Sequence, residues 1–225
     1  MLQCVTAISV LALNACGLRA SDYPDFSHSP AFRLEGVRMP LGGGAPQKVV
    51  IYRDGPKFRI ETLLPGGRTI VVFDPATNDA YALTPQTSSL VRAASNAPRV
   101  LGTAVRVSDA AAPQPLETPW ALLMPAGVSK IGPCRVANQS GDEWRATDTA
   151  LGVAQRTACI TPDGIVLQER EQNKTIFAAT RLDRGPQAAS LFGVPPDYQR
   201  SSPGAAAPET TAAAAAIAAN AGPAG

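Results

Sequence analysis

QKVVIYRDGPKFRIETLLPGGRTIVVFD, residues 47–74, is the stretch that decides the fold. It contains three short runs rich in β-branched and aromatic residues, which are 47–54, 57–64 and 68–74. The turn sequences Asp54-Gly55-Pro56 and Pro65-Gly66-Gly67 separate these runs. A fourth run, Asp79 to Leu83, follows another turn sequence at 74–78. This pattern predicts four strands joined by short turns, which together form an antiparallel meander.

The alternation within these runs predicts which side chains face the core. In the second run one face carries apolar residues and Thr, while the other carries charges, so we expect this strand to show one side to water. The apolar face is Phe58, Ile60, Thr62 and Leu64, and the charged face is Lys57, Arg59 and Glu61. The third run is apolar on both faces, which predicts a central strand.

A second set of strand-like runs follows, and it also predicts an antiparallel meander. These runs are Arg99–Val107, Glu143–Thr147, Val153–Ile160, Gly164–Arg170 and Lys174–Leu182. Two segments between the sets, Thr84–Ala97 and Pro119–Val128, are predicted to form short helices that pack on the sheet. No unit of strand, helix and strand repeats, so a parallel nucleotide-binding sheet is not expected. The predicted fold class is mainly β with short helices.

The N-terminus has the pattern of an export signal. The uncharged run Val5–Leu13 is too short for a transmembrane helix, which needs about 20 residues, but it suits the apolar core of a secretory signal. Cys16 follows directly after Leu13-Asn14-Ala15, as the acylated cysteine does in a bacterial lipobox. We therefore predict a lipoprotein signal peptide at 1–15 and lipidation of Cys16 by fatty acyl chains such as palmitate. The alternative is an ordinary signal peptide cleaved elsewhere, for instance after Ala20.

Composition divides the rest of the chain into a body and two polar ends. Residues 16–31 comprise the acylated cysteine and a predicted flexible tether rich in Ser, Pro and Asp. Residues 32–200 are predicted to form one domain, which is long enough to bury a full core. Residues 201–225 are rich in Ala, Pro, Gly and Thr with a single large apolar residue, so a disordered tail is expected.

Two of the four cysteines belong to the body. Cys4 and Cys16 lie in the leader and lipobox, which leaves Cys134 and Cys159. In an exported chain such a pair predicts a disulfide. The alternative, a metal site, lacks further ligands because the only histidine, His28, lies in a stretch rich in Pro and Ser. No metal and no cofactor are expected.

The residues also argue against several classes of function. Without a histidine in the body, neither a Ser-His-Asp nor a Cys-His arrangement can form, so we do not expect an enzyme. The net charge is +2 and no basic cluster is interleaved with aromatics, so nucleic-acid binding is not expected. Exposed-face arginines either contact lipid phosphates or belong to an ordinary solvated sheet face; these are Arg53, Arg59, Arg68 and Arg170.

Several motifs resemble the lipoprotein-carrier superfamily of LolA and LolB. The segments are DGPKFRIE (54–61), GRTIVVFD (67–74), AYALTP (80–85), GPC (132–134), CITPDGIVL (159–167) and LFGVPPDY (191–198). The resemblance covers about Phe32 to Tyr198. It implies a curved antiparallel sheet that forms an unclosed half β-barrel with helices in its mouth. In the best-known members of the superfamily this barrel holds the acyl chains of lipoproteins.

The expected function combines these features. We predict a lipoprotein of the bacterial cell envelope that faces the periplasm, with its N-terminal acyl anchor in the outer membrane rather than the inner. Its half-barrel is expected to bind a lipid or an acylated protein. The candidate apolar ligand-binding residues, all expected to face inward, are Phe58, Ile60, Val72, Trp120, Leu123, Ile165 and Ile176. The alternative is a structural or adaptor lipoprotein with a filled core that acts through protein contacts.

Overall fold

The fold was examined in a computed structural model. It describes residues 22–40, 43–65, 67–74, 78–85, 101–108, 114–123, 127–146 and 156–201. The predicted leader, Cys16, the first part of the predicted tether, most of the predicted helix Thr84–Ala97 and the tail beyond Ser201 lie outside these residues.

The described residues are mostly strands, which confirms the predicted fold class. The strands are β1 (Phe32–Arg38), β2 (Gln47–Asp54), β3 (Lys57–Leu64), β4 (Gly67–Asp74), β5 (Asp79–Pro85), β6 (Gly102–Val107), β7 (Val128–Val136), β8 (Gln139–Ala146), β9 (Arg156–Ile160), β10 (Val166–Glu171), β11 (Lys174–Arg184) and β12 (Tyr198–Ser201). One α-helix, α1 (Thr118–Leu122), and one 3₁₀ helix, Ala189–Phe192, are also described.

All twelve strands belong to one sheet, whose order is β7-β8-β9-β10-β11-β1-β2-β3-β4-β5-β6-β12. Neighbouring strands are antiparallel except β6 and β12, which are parallel. Strands β7 and β12 lie at the two ends of this order and do not pair with each other. The sheet is therefore an open half-barrel, as the resemblance to LolA and LolB implies.

The sheet consists of two meanders that β1 joins. Strands β2 to β6 form the first meander and β7 to β11 form the second, while β1 pairs with β2 on one side and β11 on the other. The sequence places the run Arg99–Val107 in the second set of strands. In the structure this run forms β6, which pairs with β5 and so extends the first meander. The predicted bounds of β2 and β3 match the structure.

Three strands were not predicted, and each has a local reason. Strand β1 mixes charges with Gly36, and β7 contains Gly132 and Pro133, so neither shows the usual strand composition. Proline is tolerated in β7 because this strand lies at a sheet edge, where one row of N–H groups needs no partner. Strand β12 has only four residues.

The expectation that the charged face of β3 is exposed to water is wrong. Arg59 is 9% exposed and Glu61 is 6% exposed. The 3₁₀ helix lies over this side of β3 and β4, and the Arg59 Nη1 donates a hydrogen bond to the Leu191 carbonyl at 3.1 Å. The 3₁₀ helix, which is distant in sequence, thus covers a face of β3 whose charged residues predicted exposure to solvent.

The predicted helix Pro119–Val128 is shorter than expected. Helix α1 spans Thr118–Leu122, and Val128 instead begins β7. No helix in the described ranges has both the length and the apolar content needed to cross a membrane.

Candidate functional site

The main core defines one face of the sheet, which we call the inner face. In an antiparallel pair, directly opposed residues point to the same face. Leu34 is opposed to Ile51 on one side and Leu182 on the other, and Ile51 is opposed to Ile60. All four belong to the same buried cluster, so the inner face runs across β11, β1, β2 and β3.

The seven candidate ligand-binding residues divide between the two faces. Five lie buried in the main core on the inner face, and they are Phe58, Ile60, Trp120, Leu123 and Ile165. Val72 is opposed to Arg59 and lies on the outer face, in a second cluster that includes Ile70, Leu83 and Ala104. Ile176 is half-buried and lines a groove on the outer face. These two residues therefore do not face inward.

The groove beside Ile176 has a volume of about 770 Å³. It lies between the ends of β1 and β11, where Val37, Met39 and Ala178 supply apolar walls. Lys174 and Glu171 contribute charge at its border. Because it opens on the outer face, this groove is separate from the main core.

Two short pieces of chain cover part of the inner face. One is α1, whose Trp120 is fully buried. The other is the segment 22–30, which we call the N-terminal strap; Tyr23 and Phe26 of this strap pack against the main core. The Tyr23 hydroxyl donates a hydrogen bond to the Trp120 carbonyl at 2.8 Å. The sequence predicts a flexible tether up to Ala31, whereas this part of it packs on the sheet.

Arg53 connects both pieces to the sheet. Its Nη2 lies 3.3 Å from Glu117 Oε1, just before α1, and donates a hydrogen bond to the Ser29 hydroxyl at 2.9 Å. Burial raises the pKa of Glu117 and lowers the pKa of Arg53. Arg53 is therefore a half-buried inner-face residue rather than a cation on a solvated surface.

A second charged group lies further along the inner face. The Arg156 guanidinium contacts Glu171 at 2.8 Å and Glu169 at 3.4 Å. The Trp120 indole N–H donates a hydrogen bond to Glu169 at 3.3 Å. Burial raises the pKa of Glu169, which is 5% exposed.

Sequence reasoning missed Glu169. The pairing of β10 with β9 is irregular between Val166 and Gln168, and it is the position of Glu169 opposite Ala158 and Phe177 of the main core that places it on the inner face. A charge at that position predicts a buried ionic group, because buried carboxylates in proteins are normally paired.

The predicted disulfide between Cys134 and Cys159 is present, with the two Cα atoms 6.0 Å apart. Cys134 lies in β7 and Cys159 in β9, so the bond crosses β8. In the part of the chain that the structure describes, no group of three or more His, Cys, Asp or Glu residues could hold a metal ion.

No protein-family model and no curated protein matches the chain. The crystal structure of MucB aligns with a TM-score of 0.51 and 16% identity over 79% of this chain and 62% of MucB. The chain thus spans less than two thirds of the length of MucB. An uncharacterized conserved protein from Thermus thermophilus aligns with a TM-score of 0.46 and 14% identity over 78% of this chain and 91% of that chain.

The complex of Pseudomonas aeruginosa MucA and MucB aligns with a TM-score of 0.44 and 17% identity over 80% of this chain and 59% of that chain. At these identities a structural likeness shows the fold alone, because one fold hosts many functions. The chain therefore has a MucB-like fold, and its function depends on its own residues.

Proposed function

We propose that the protein is an envelope lipoprotein whose inner face binds the acyl chains of a lipid or of an acylated protein. The observation that carries this proposal is the cover of the inner face. Within the described ranges that cover consists of α1 and the N-terminal strap, two short pieces laid over a large apolar surface.

These pieces are suited to being displaced. A five-residue helix has little stability of its own, since isolated helices shorter than about 12 residues are marginal in water. The Arg53–Glu117 pair connects the cover to the sheet, whereas the Tyr23 hydrogen bond connects the N-terminal strap to α1. The attraction within a buried ion pair often does no more than offset the free-energy cost of desolvating its two charges. The Arg53–Glu117 pair therefore positions the cover more than it stabilises the cover.

An acyl chain would take over the contacts that the cover makes. Trp120 and Leu123 bury apolar surface against the inner face, and each buried methylene contributes about 0.8 kcal/mol. A ligand that displaces these side chains therefore replaces one apolar contact by another. No catalytic step and no cofactor are required.

The test is to identify what the exported protein carries. The full chain with Cys16→Ala, which lacks the proposed anchor, would be recovered from a bacterial periplasm and analysed by native mass spectrometry and solvent extraction. A lipid or acyl species at near-stoichiometric level supports the proposal. A mass without ligand, together with no uptake of added lipid, would reject it.

The proposed anchor is acylated Cys16, with the body facing the periplasm. Lipobox processing attaches more than one acyl chain, which is enough for stable membrane binding where one chain is marginal. Cys16→Ala should abolish both acyl labelling and membrane fractionation. Cys4→Ala, a cysteine within the predicted leader, is the matched control and should change neither.

A second candidate is an adaptor with a permanently filled core. It is favoured by the tight burial of the inner face, where Trp120 and Leu167 are fully buried and Phe177 is 1% exposed. Such an adaptor would have to use its faces rather than its edges. The edge strand β7 contains Pro133 and a register irregularity near Ile131, and the edge strand β12 has only four residues. Such features make an edge strand a poor partner for a strand of another chain.

A further inference from the structure

The groove beside Ile176 lies at an irregularity of the sheet. In the pairing of β10 with β11, Glu169 is opposed to Phe177. The next residue, Arg170, is opposed to Thr175, so Ile176 is an extra residue between these pairs. A bulge of this kind bends its strand and interrupts the pairing locally. The groove at this bend has a volume of about 770 Å³, within the range of about 300–1,000 Å³ that is usual for small-molecule sites.

The walls of this groove are aliphatic side chains outside the buried cores. Val37 and Ala178 are directly opposed on β1 and β11. Met39, which is 40% exposed, follows the end of β1. Together with Ile176 these residues belong to none of the buried clusters that the structure describes. They therefore form a separate apolar surface that solvent can reach.

The strand backbone along the groove is already paired. Strands β1 and β11 pair beneath it, and beyond β1 the Met39 N–H donates a hydrogen bond to the Ile176 carbonyl at 2.9 Å. A peptide that adds to a sheet needs free main-chain groups, which these two strands do not offer to each other's side of the groove. An alkyl chain needs only apolar contact, and the flexible thioether of Met39 adapts to such a chain. The walls thus favour a lipid over an extended peptide.

Two lysines make the border of the groove positive. Lys174 lines the groove and Lys48 is directly opposed to the wall residue Val37, and both lysines are exposed. Among the described residues, no carboxylate lies within 4.0 Å of either ammonium group. Glu171, the acidic residue of the lining, is already engaged by Arg156 at 2.8 Å. The border therefore attracts an anion next to the apolar walls.

The chemistry of the border indicates which anion fits. The ammonium of Lys174 is a compact point charge, and lysine in this form is a common ligand of phosphate groups. A carboxylate is matched better by the planar fork of an arginine, and the lining contains no arginine. Gln172 and Thr175 also line the groove and can donate hydrogen bonds to phosphate oxygens. A phosphate attached to an alkyl chain therefore suits both the border and the walls.

We propose that the groove is a lipid site on the outer face, in which the walls hold one alkyl chain and Lys174 binds the phosphate of the headgroup. Lys48 adds positive charge on the β2 side of the groove. This site goes beyond the proposed function, because it does not involve the inner face and does not require the cover of that face to move.

The test follows the methyl group of Met39 by NMR in the full-length protein, labelled at its three methionines. Met39→Leu identifies the signal. The probes are dodecyl phosphate, dodecanol and inorganic phosphate, and the first two are kept below the concentrations at which they aggregate. We expect dodecyl phosphate to shift the Met39 signal with an affinity about tenfold tighter than that of dodecanol, as one charge-assisted hydrogen bond provides. Inorganic phosphate at the same concentrations should not shift it.

Three variants and a control locate the effect. Lys174→Met should remove the preference for dodecyl phosphate over dodecanol, and Lys174→Arg should retain most of it. Ala178→Leu narrows the groove and should weaken binding of both dodecyl probes. Lys57→Met is the matched control and should keep the full preference. Lys57 also has no carboxylate within 4.0 Å among the described residues, but it lies at the far end of β2 and β3 from Lys48.

Circular dichroism verifies the fold of each variant. Lys174 is exposed, so its variants are expected to fold, and they decide the outcome if Ala178→Leu does not fold. No shift of the Met39 signal with dodecyl phosphate, or an unchanged preference in Lys174→Met, overturns the site. An equal shift with inorganic phosphate identifies a site for a free anion and overturns the assignment to a lipid.

A second signal separates this inference from the proposed function. Trp120 and Trp144 are the two tryptophans of the chain, and both are buried in the main core, so their fluorescence reports the inner face. A dodecyl probe that changes this fluorescence but not the Met39 signal supports binding at the inner face and rejects the outer site. A probe that shifts the Met39 signal alone supports the outer site without the proposed function.

Discussion

Gly141 lies where β8 has no room for a side chain. A Cβ atom at this position would be 2.4 Å from the Ile160 carbonyl oxygen, which belongs to the backbone of β9 and cannot rotate away. Gly141 is also opposed to Cys134, so the disulfide crosses β8 near this glycine. A larger residue would have to push β8 and β9 apart.

Gly141→Ala should therefore lower the free energy of unfolding by about 1–3 kcal/mol, the usual cost of overpacking. Urea unfolding of the oxidised protein measures it. Gly132→Ala in β7 is the matched control, because a Cβ there meets nothing within 4 Å. Equal stability of the two variants would contradict this account of Gly141.

Glu117 provides a second prediction at the scale of single residues, which concerns how the free energy of unfolding depends on pH. Burial raises the pKa of Glu117 in the folded state above its value in the unfolded chain, about 4.3. The folded state therefore favours the neutral carboxyl of Glu117. The stability associated with this neutral form is fully present below the unfolded pKa and is lost as the pH rises through the folded pKa. Glu117→Gln is permanently neutral, so it should match the wild type at low pH and exceed its stability at pH 7.

Thermal or urea unfolding of both proteins between about pH 4 and pH 8, the range in which such a group titrates, measures this difference. Glu143→Gln on β8 is a control for the loss of one negative charge. A Glu117→Gln variant that is less stable than the wild type at pH 7 would show that the pair with Arg53 outweighs its desolvation.

At the scale of elements, the 3₁₀ helix depends on two kinds of contact with the outer face. Phe192 is buried, and Arg59 donates one hydrogen bond to the Leu191 carbonyl and another to Glu61, at 2.6 Å. Further along the chain, Tyr198 packs against Gly102, where a Cβ would be 2.5 Å from its ring. This segment thus covers the outer face of β3 and β4, beside the second buried cluster of Ile70, Val72, Leu83 and Ala104 on β4 to β6.

Arg59→Met should loosen the 3₁₀ helix and destabilise the protein by about 1–3 kcal/mol, because it removes a buried charged donor from two acceptors. Hydrogen exchange should show the loss of protection at Ala189–Phe192 and on β3. Arg68→Met is the matched control: Arg68 contacts the same Glu61 but is 49% exposed, so its loss should cost less than about 1 kcal/mol. Equal effects of both variants would argue against a role in holding the helix.

At the scale of the whole molecule, the disulfide attaches the edge strand to the sheet. It closes a loop with a sequence separation of 25 residues and connects β7 to β9. On the chain-entropy model, a loop of this size contributes roughly 3 kcal/mol. The edge strand β7 would otherwise be held by β8 on one side only.

Replacing both Cys134 and Cys159 by Ser should therefore lower the free energy of unfolding by roughly 3 kcal/mol. Chemical denaturation measures the loss, and reduction of the wild type should reproduce most of it. The variant that retains one free thiol is not an adequate control because it can form dimers. If the double variant is as stable as the oxidised protein, the bond is not a structural support.

Local sequence was sufficient for the elements that turns and alternation define. The bounds of β2 and β3 and the central position of β4 follow from short segments, because the deciding contacts lie within one strand or between strands joined by a short turn. The pairing of Cys134 with Cys159 follows instead from the number of cysteines in the body of an exported chain, since the bond joins β7 to β9 across β8.

The tertiary structure alone decided which faces are covered and how the two meanders meet. Strand β1 pairs with β11, which is remote in sequence, and this pairing places Arg38 and Glu169 on one face. The 3₁₀ helix buries Arg59 and Glu61, although their alternation marks that face as solvated. The physical reason is that burial depends on which distant segment packs on a strand, whereas alternation within the strand records only that its two faces differ.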